Sequence, residues 1–249
     1  MYDDEELEKQ IKELLAETEI KDYKLAVSII KTAVKLSGDS ISRLDRKIVN
    51  TSLKEMRYAF RVFSGYRDVR KVTMFGSARA SPKSPEYIQA MEFAARIVEE
   101  DWMVVTGAGP GIMEAGHAGA GGAHSFGVNI QLPFEAQANP FILGDPKLIN
   151  FKYFFTRKLM FIKEANAFVV CPGGFGTMDE AFELLTLIQT GKSDLRPIVF
   201  LEPKGSKSWN IFTLLVDNFI KHGYIDSEDK KLYKITDNVG TAIAEIKQF

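Results

Sequence analysis

Three glycine-bearing stretches carry the residue types that hold a phosphate: Gly76-Ser77-Ala78-Arg79, Gly107-Ala108-Gly109-Pro110-Gly111 and Pro172-Gly173-Gly174-Phe175-Gly176-Thr177. Each follows an apolar burst, so each falls where a strand turns into the next element. Glycine lets backbone approach a phosphate closely, and a helix N-terminus offers unpaired N–H groups at the positive end of its dipole. A single such turn can be a plain tight connection, but three after three strands point to an anion. Thr177 adds a hydroxyl donor, and Arg79 adds a charge-assisted bond. Just inside the helix that follows the third turn stand Glu180 and Glu183, close to one turn apart on the same side. Acids in a first turn often only complement the dipole. Beside a phosphate they would repel the ligand unless they have a task. Arg157-Lys158, ahead of the third strand, would offset the acids and bind ligand.

The spacing narrows the ligand. The Gly107 loop reads G-x-G-x-G and so departs from the G-x-G-x-x-G dinucleotide fingerprint. Gly191-Lys192-Ser193 looks like the end of a phosphate-binding P-loop, but the glycine required five places earlier is Thr186, and the segment lies at a helix end. A smaller phosphate ligand, such as a mononucleotide, fits better. His117, His124 and His222 lack metal-ligand spacing and read as structural or exposed, and Cys171 reads as a small core residue at a strand end.

The elements that must position these residues are legible from Val72 onward. Strands are expected at Val72–Phe75, Met103–Thr106, Ser125–Leu132, Ala167–Cys171 and Pro197–Leu201, with helices at Glu86–Glu100, Gly111–Gly121, Thr156–Ala165, Met178–Thr190 and Trp209–Lys221. Short apolar strands alternating with amphipathic helices predict an α/β fold, a doubly wound, Rossmann-like parallel sheet covered on both faces, with ligand beyond the strand C-termini. Residues 1–70 differ: they are charge-rich, with Ile11, Leu14, Leu15, Leu25, Val27, Ile29, Ile30 and Val34 near helical spacing. They predict a helical extension, broken near Ser37-Gly38-Asp39 with Asp39 or Ser40 capping the next helix, ahead of a nucleotide-binding domain at 71–249. The cluster Arg57, Arg61, Arg67, Arg70 and Lys71 reads as a solvated helix face.

Composition sets the bounds. The 249 residues are 45% hydrophobic and 26% charged, and 32 Lys+Arg against 33 Asp+Glu leave a net charge of −1, which argues against reliance on non-specific attraction to nucleic acid or acidic membrane. One cysteine rules out an intrachain disulfide framework. With the acidic start MYDDEELEKQ, this makes a cytoplasmic protein the expectation.

Arg157-Lys158, followed by Pro172-Gly173-Gly174-Phe175-Gly176-Thr177-Met178-Asp179-Glu180, resembles the R-K and P-G-G-x-G-T-x-x-E motifs of the Lonely Guy family, long labelled "possible lysine decarboxylases". The resemblance runs from about Val72 to Trp209 and takes in the Gly76–Arg79 turn and the Gly107–Glu114 loop, where the family's usual G-G-G reads Gly107-Ala108-Gly109. It implies a phosphoribohydrolase that cleaves the N-glycosidic bond of AMP or cytokinin-type ribotides to free base and ribose 5-phosphate. Glu180 and Arg157 would be catalytic. Gly76, Ser77, Arg79, Gly107, Gly109, Gly111, Met113, Glu114, Lys158, Gly173, Gly174, Gly176, Thr177 and Glu183 would bind substrate, and Met113, Phe134, Phe155 and Met160 are candidates to line the base pocket. The resemblance implies no metal or organic cofactor, a small-molecule nucleotide as partner, and at least a homodimer. A non-catalytic nucleotide sensor or carrier is the competing expectation. A lysine decarboxylase would need a Schiff-base lysine for pyridoxal phosphate, and Lys158 is the nearest candidate.

Overall fold

The apolar bursts that precede glycine become parallel strands in a computed structural model, which describes residues 4–16, 20–131 and 138–248. The strands are β1 (Lys71–Phe75), β2 (Met103–Thr106), β3 (Ser125–Ile130), β4 (Leu148–Phe151), β5 (Ala167–Val170), β6 (Ile198–Leu201) and β7 (Lys234–Thr236). They lie in the order β4-β3-β2-β1-β5-β6-β7, and every neighbouring pair is parallel. The helices are α1 (Asp4–Leu15), α2 (Tyr23–Gly38), α3 (Arg43–Ser64), α4 (Pro85–Val98), α5 (Ile112–Ala120), α6 (Phe154–Lys163), α7 (Phe175–Gln189), α8 (Asn210–Lys221) and α9 (Val239–Lys247).

Alternation along the strands sends side chains to two separate cores. Val72, Met74, Val104 and Val169 pack with Phe93 and Ile97 of α4, Ile112 of α5 and Ile246 of α9. On the other face, Phe75, Val105, Phe168 and Val170 pack with Phe161 of α6, Leu184 of α7 and Phe212 of α8. With both faces covered, the central strands are buried along their length and mostly apolar, which is why they are readable in sequence. β4 and β7 carry no such run. They are short edge strands, Leu-Ile-Asn-Phe and Lys-Ile-Thr, partly open to solvent, and the alternation does not predict them.

The chain divides into two units, Met1–Lys54 and Glu55–Phe249, so the dividing line falls inside α3 and not at the 70/71 boundary expected from composition. The reason is packing: Ala59 and Phe63 of α3 belong to the core of the sheet, with Phe63 stacked on Phe126 at 4.5 Å between ring centres. In the first unit α1 and α2 bury a narrow seam of Leu7, Ile11 and Val27, with Leu15, Ile30 and Val34 packed against it. Leu14, Leu25 and Ile29, expected on the same face, are exposed. The start of α3 is capped by Ser42 and not by Asp39 or Ser40: Asp45 N–H donates to Ser42 Oγ (3.1 Å) and Ser42 N–H to Asp45 Oδ2 (2.9 Å), a reciprocal capping box. Of the basic cluster, Lys71 is buried and donates to the carbonyls of Tyr66 (2.6 Å) and Val69 (2.8 Å), closing the turn after α3. No helix among the described residues is long and apolar enough to cross a membrane.

Candidate active site

The strand order reverses between β1 and β5, since the chain winds outward one way through β2, β3 and β4 and the other way through β6 and β7. Loops leaving adjacent strands at such a point diverge and leave a crevice. Here it is a cleft of about 1050 Å³, walled by the turn after β1, the loop after β2, the turn after β5 and the inner side of α6. Twelve of the residues expected at the site line it: Gly76, Ser77, Arg79, Gly107, Gly109, Met113, Arg157, Gly173, Gly174, Gly176, Thr177 and Glu180.

Close approach explains several of these glycines, Gly111 and Gly107 among them. Gly111 caps α5 at φ +67°, and a Cβ there would stand 2.3 Å from Ser77 O, the carbonyl that accepts the Ile112 N–H at 3.0 Å. This contact ties the β1 turn to the start of α5, so Gly111 shapes the wall without lining it. A Cβ on Gly107 would meet Arg157 Nη2 at 2.3 Å and Met113 Sδ at 2.6 Å. Arg157 is 8% exposed; its Nε donates to Val128 O (2.8 Å), its Nη2 to Gly107 O (3.4 Å), and its guanidinium lies over the Phe161 ring at 5.0 Å. The arginine therefore joins the ends of β2 and β3 and holds a positive charge at the cleft wall.

A buried polar network fixes the same loop from behind. Ala108 N–H donates to Thr106 Oγ1 (3.1 Å), and Asn139 Nδ2 donates to the carbonyls of Ala108 (3.1 Å) and Gly109 (3.0 Å). His117, fully buried, sits between Asn139 and the Phe126 carbonyl, and burial lowers its pKa, which keeps the imidazole neutral. Its role is structural, as its isolation in sequence suggests, yet the partner 22 residues away is visible only in the fold.

The third turn ends in α7. Met178 N–H is the first to bond within the helix, to Gly174 O (3.0 Å), so the N–H groups of Phe175, Gly176 and Thr177 lack intrahelical partners beside the cleft. Glu180 follows one turn in. Burial pushes its carboxyl up to about 7; Arg157 and then Lys158 pull it back down, against Asp179 and Glu183, which raise it. Lys158 and Glu183 do not line the cleft. Lys158 Nζ meets Glu183 Oε2 at 2.5 Å and Asp179 Oδ2 at 2.9 Å. Burial disfavours the Lys158 charge, but the two acids outweigh it and hold its pKa above the ordinary range. Glu114 also turns away, accepting the Tyr87 hydroxyl at 3.3 Å. Among the base-pocket candidates Met113 lines the cleft, Met160 is fully buried in the core, Phe155 lines a separate surface pocket, and Phe134 lies outside the described residues.

Pro110, Asn129, Phe154 and Phe175 also line the cleft and were not expected there. Phe175 is 98% exposed at the variable position of its glycine turn, a sequence position that could have flagged it; Phe154 is half exposed. Asn129 donates to Asn150 Oδ1 on the edge strand β4, so only strand pairing reveals it.

A parallel sheet with glycine turns, a helix start and a half-buried carboxylate gathered at its switch point defines an α/β protein of the Rossmann-like class. The family model described as "Possible lysine decarboxylase" matches residues 111–246, more than half of the chain. The chain belongs to this family, the Lonely Guy family. It is 27% identical over 191 residues to the "Probable cytokinin riboside 5′-monophosphate phosphoribohydrolase LOG4" of Oryza sativa subsp. japonica, covering 74% of this chain and 79% of the relative. It is 25% identical over 176 residues to the "Cytokinin riboside 5′-monophosphate phosphoribohydrolase LOG7" of Arabidopsis thaliana, covering 68% and 78%. Among solved structures, the structural-genomics target TM1055 superposes with a TM-score of 0.52 at 21% identity, covering 72% of this chain and 99% of that one, a likeness of fold.

Proposed function

We propose that the chain hydrolyses the N-glycosidic bond of a nucleoside 5′-monophosphate, AMP or a cytokinin-type ribotide, to free base and ribose 5-phosphate. The observation that carries this reading is the pairing, in one cleft, of an anion-ready start of α7 with the half-buried carboxylate of Glu180 one turn further on. The phosphate is held by the N–H groups of Phe175, Gly176 and Thr177, the hydroxyls of Thr177 and Ser77, and Arg79. Ser77 contributes its hydroxyl and not its amide, because its N–H is already bonded to Pro172 O at 3.0 Å. With the phosphate anchored there, the ribose is positioned against Glu180. As the C1′–N bond breaks, positive charge grows on the sugar, and a carboxylate in a water-poor site stabilises that charge more than the ground state. Water adds its oxygen to C1′, and one of its protons ends on the departing base nitrogen.

Purified protein incubated with a panel of nucleoside monophosphates, with products separated by chromatography, tests the reading; release of adenine or a modified adenine is expected. Tight AMP binding with no base release across the panel would instead make the chain a carrier or sensor. The family's label is not supported by the residues present. Among the described residues no lysine lines the cleft, and Lys158 is held charged by two acids, whereas a Schiff-base lysine must lose its proton.

Thr177→Val tests the phosphate arm, since it keeps the shape and removes the hydroxyl. KM for AMP is expected to rise ~10-fold with kcat within ~3-fold, the effect of losing one hydrogen bond to a charged group. Self-association belongs to the same proposal, supported by Phe154, Phe155 and Leu159, large apolar side chains exposed on α6. Light scattering is expected to give at least a dimer mass, and a monomer across working concentrations would remove that part.

A further inference from the structure

The second half of α3 does more than fill the core: we propose that Glu55 is a positioning residue that holds the start of α6, and through it Arg157, in the geometry that hydrolysis needs. The inference rests on the function proposed above. α6 begins without a cap of its own. Its N-cap residue is Tyr153, with no side-chain cap bond, and its first turn carries no acid. One carboxylate from another helix ties this end down and supplies the missing negative charge. Lys152 N–H donates to Glu55 Oε1 at 2.7 Å, and the Thr156 hydroxyl donates to Glu55 Oε2 at 2.6 Å, across a separation of about a hundred residues; Tyr153 O, 3.0 Å from the same hydroxyl, is its longer, local alternative. A negative charge at this end also favours the helix dipole. Thr156 is 1% exposed, so its bond is shielded from water.

The next residue after Thr156 is Arg157. A rotation or fraying of this first turn would carry the guanidinium off Val128 O and Gly107 O, the two carbonyls that register it against the cleft. α3 also touches the far end of α6, where Lys163 Nζ lies 4.9 Å from the centre of the Phe60 ring. One helix thus braces both ends of the element that carries Arg157. Glu55 reaches neither the cleft wall nor Glu180, so its influence runs through α6.

Glu55→Ala is the test, with AMP turnover and amide hydrogen exchange read on the same protein. Expected are a kcat lowered ~10-fold or more with KM within ~3-fold, because the phosphate site on α7 is untouched, and faster exchange confined to residues 152–160. Glu55→Gln, which still accepts from Lys152 N–H, should recover most of kcat. Thr156→Val should lower kcat less and add little in the double variant, since the bond between Glu55 and the Thr156 hydroxyl is lost in either single variant. Faster exchange with unchanged kcat and KM would overturn the proposal, leaving Glu55 a structural tie alone; so would unchanged exchange at 152–160. If Glu55→Ala does not fold, the Gln and Val variants decide by the same two readouts. A wild-type chain that releases no base from any ribotide defeats the hydrolase reading and the catalytic consequence with it, while the exchange result still decides whether Glu55 holds α6.

Discussion

Replacing Glu180 by glutamine should leave a protein that binds AMP but releases base at least ~10²-fold more slowly, the scale of removing one key transition-state interaction. The amide keeps the size of the side chain and loses the charge, so binding measured by calorimetry should change little while single-turnover base release falls. Full activity in the variant would remove Glu180 from the chemistry. The wild-type pH profile carries a second signature. Burial holds this carboxyl protonated up to about 7, so kcat/KM should rise with pH through that value, and the Gln variant should lose this limb. Stability should respond in the opposite sense. The folded-state value lies above the unfolded 4.5, so the stability tied to this proton is complete below 4.5 and is lost as pH rises through about 7. Glu180→Gln removes that loss. It should be more stable than wild type at pH 8 by up to ~3 kcal/mol and nearly equal to it at pH 4, as read by denaturant unfolding at the two pH values. A site that weakens its own fold to keep a carboxylate poorly solvated is the pattern of a residue retained for function.

Arg157→Met should be the more damaging substitution, since it harms fold and chemistry together. Two carbonyls, Val128 O and Gly107 O, lose their donor at a buried site, at a cost of ~1–3 kcal/mol each. Base release is expected to fall ~10²-fold or more, and ribose 5-phosphate binding, which depends on α7, should survive. The charge has a separate readout. Arg157 is the first of the influences that pull the Glu180 carboxyl down, so in the Met variant the rising limb of any remaining activity should move to higher pH. Arg157→Lys separates the two effects: an ammonium keeps the charge and loses the planar fork that spans both carbonyls. It should leave the limb near its wild-type position while kcat stays low. If instead the Lys variant is fully active, the guanidinium geometry has no part in turnover.

Much of the positioning machinery was readable because of its local chemistry. The glycine turns after strands, the helix after the third turn and the acid at Glu180 all follow from neighbours within a few residues, where strand periodicity and helix capping operate, although the helix starts at Phe175 and not at Met178. The same holds for the central strands, buried on both faces and therefore mostly apolar. Lys158 and Glu183 show where such reasoning stops. They carry the right charges at the right spacing, yet two side chains from different helices neutralise each other outside the cleft, a pairing set by how α6 packs beside α7. Met160 and Phe155 diverge for the same reason, one turned into the core and the other to a separate pocket.

The sequence by itself determined that the chain is α/β, that three glycine turns sit at strand ends, and that one carboxylate and one Arg-Lys pair lie near the third. Tertiary structure alone decided that the switch point falls between β1 and β5, that Arg157 spans the ends of β2 and β3, and that α3, apparently part of an extension, braces the helix bearing Arg157. The physical reason is range. Periodicity, turn conformation and dipole effects act over a few residues along the chain, whereas burial, close approach and charge pairing depend on distances in space that only the packed sheet defines.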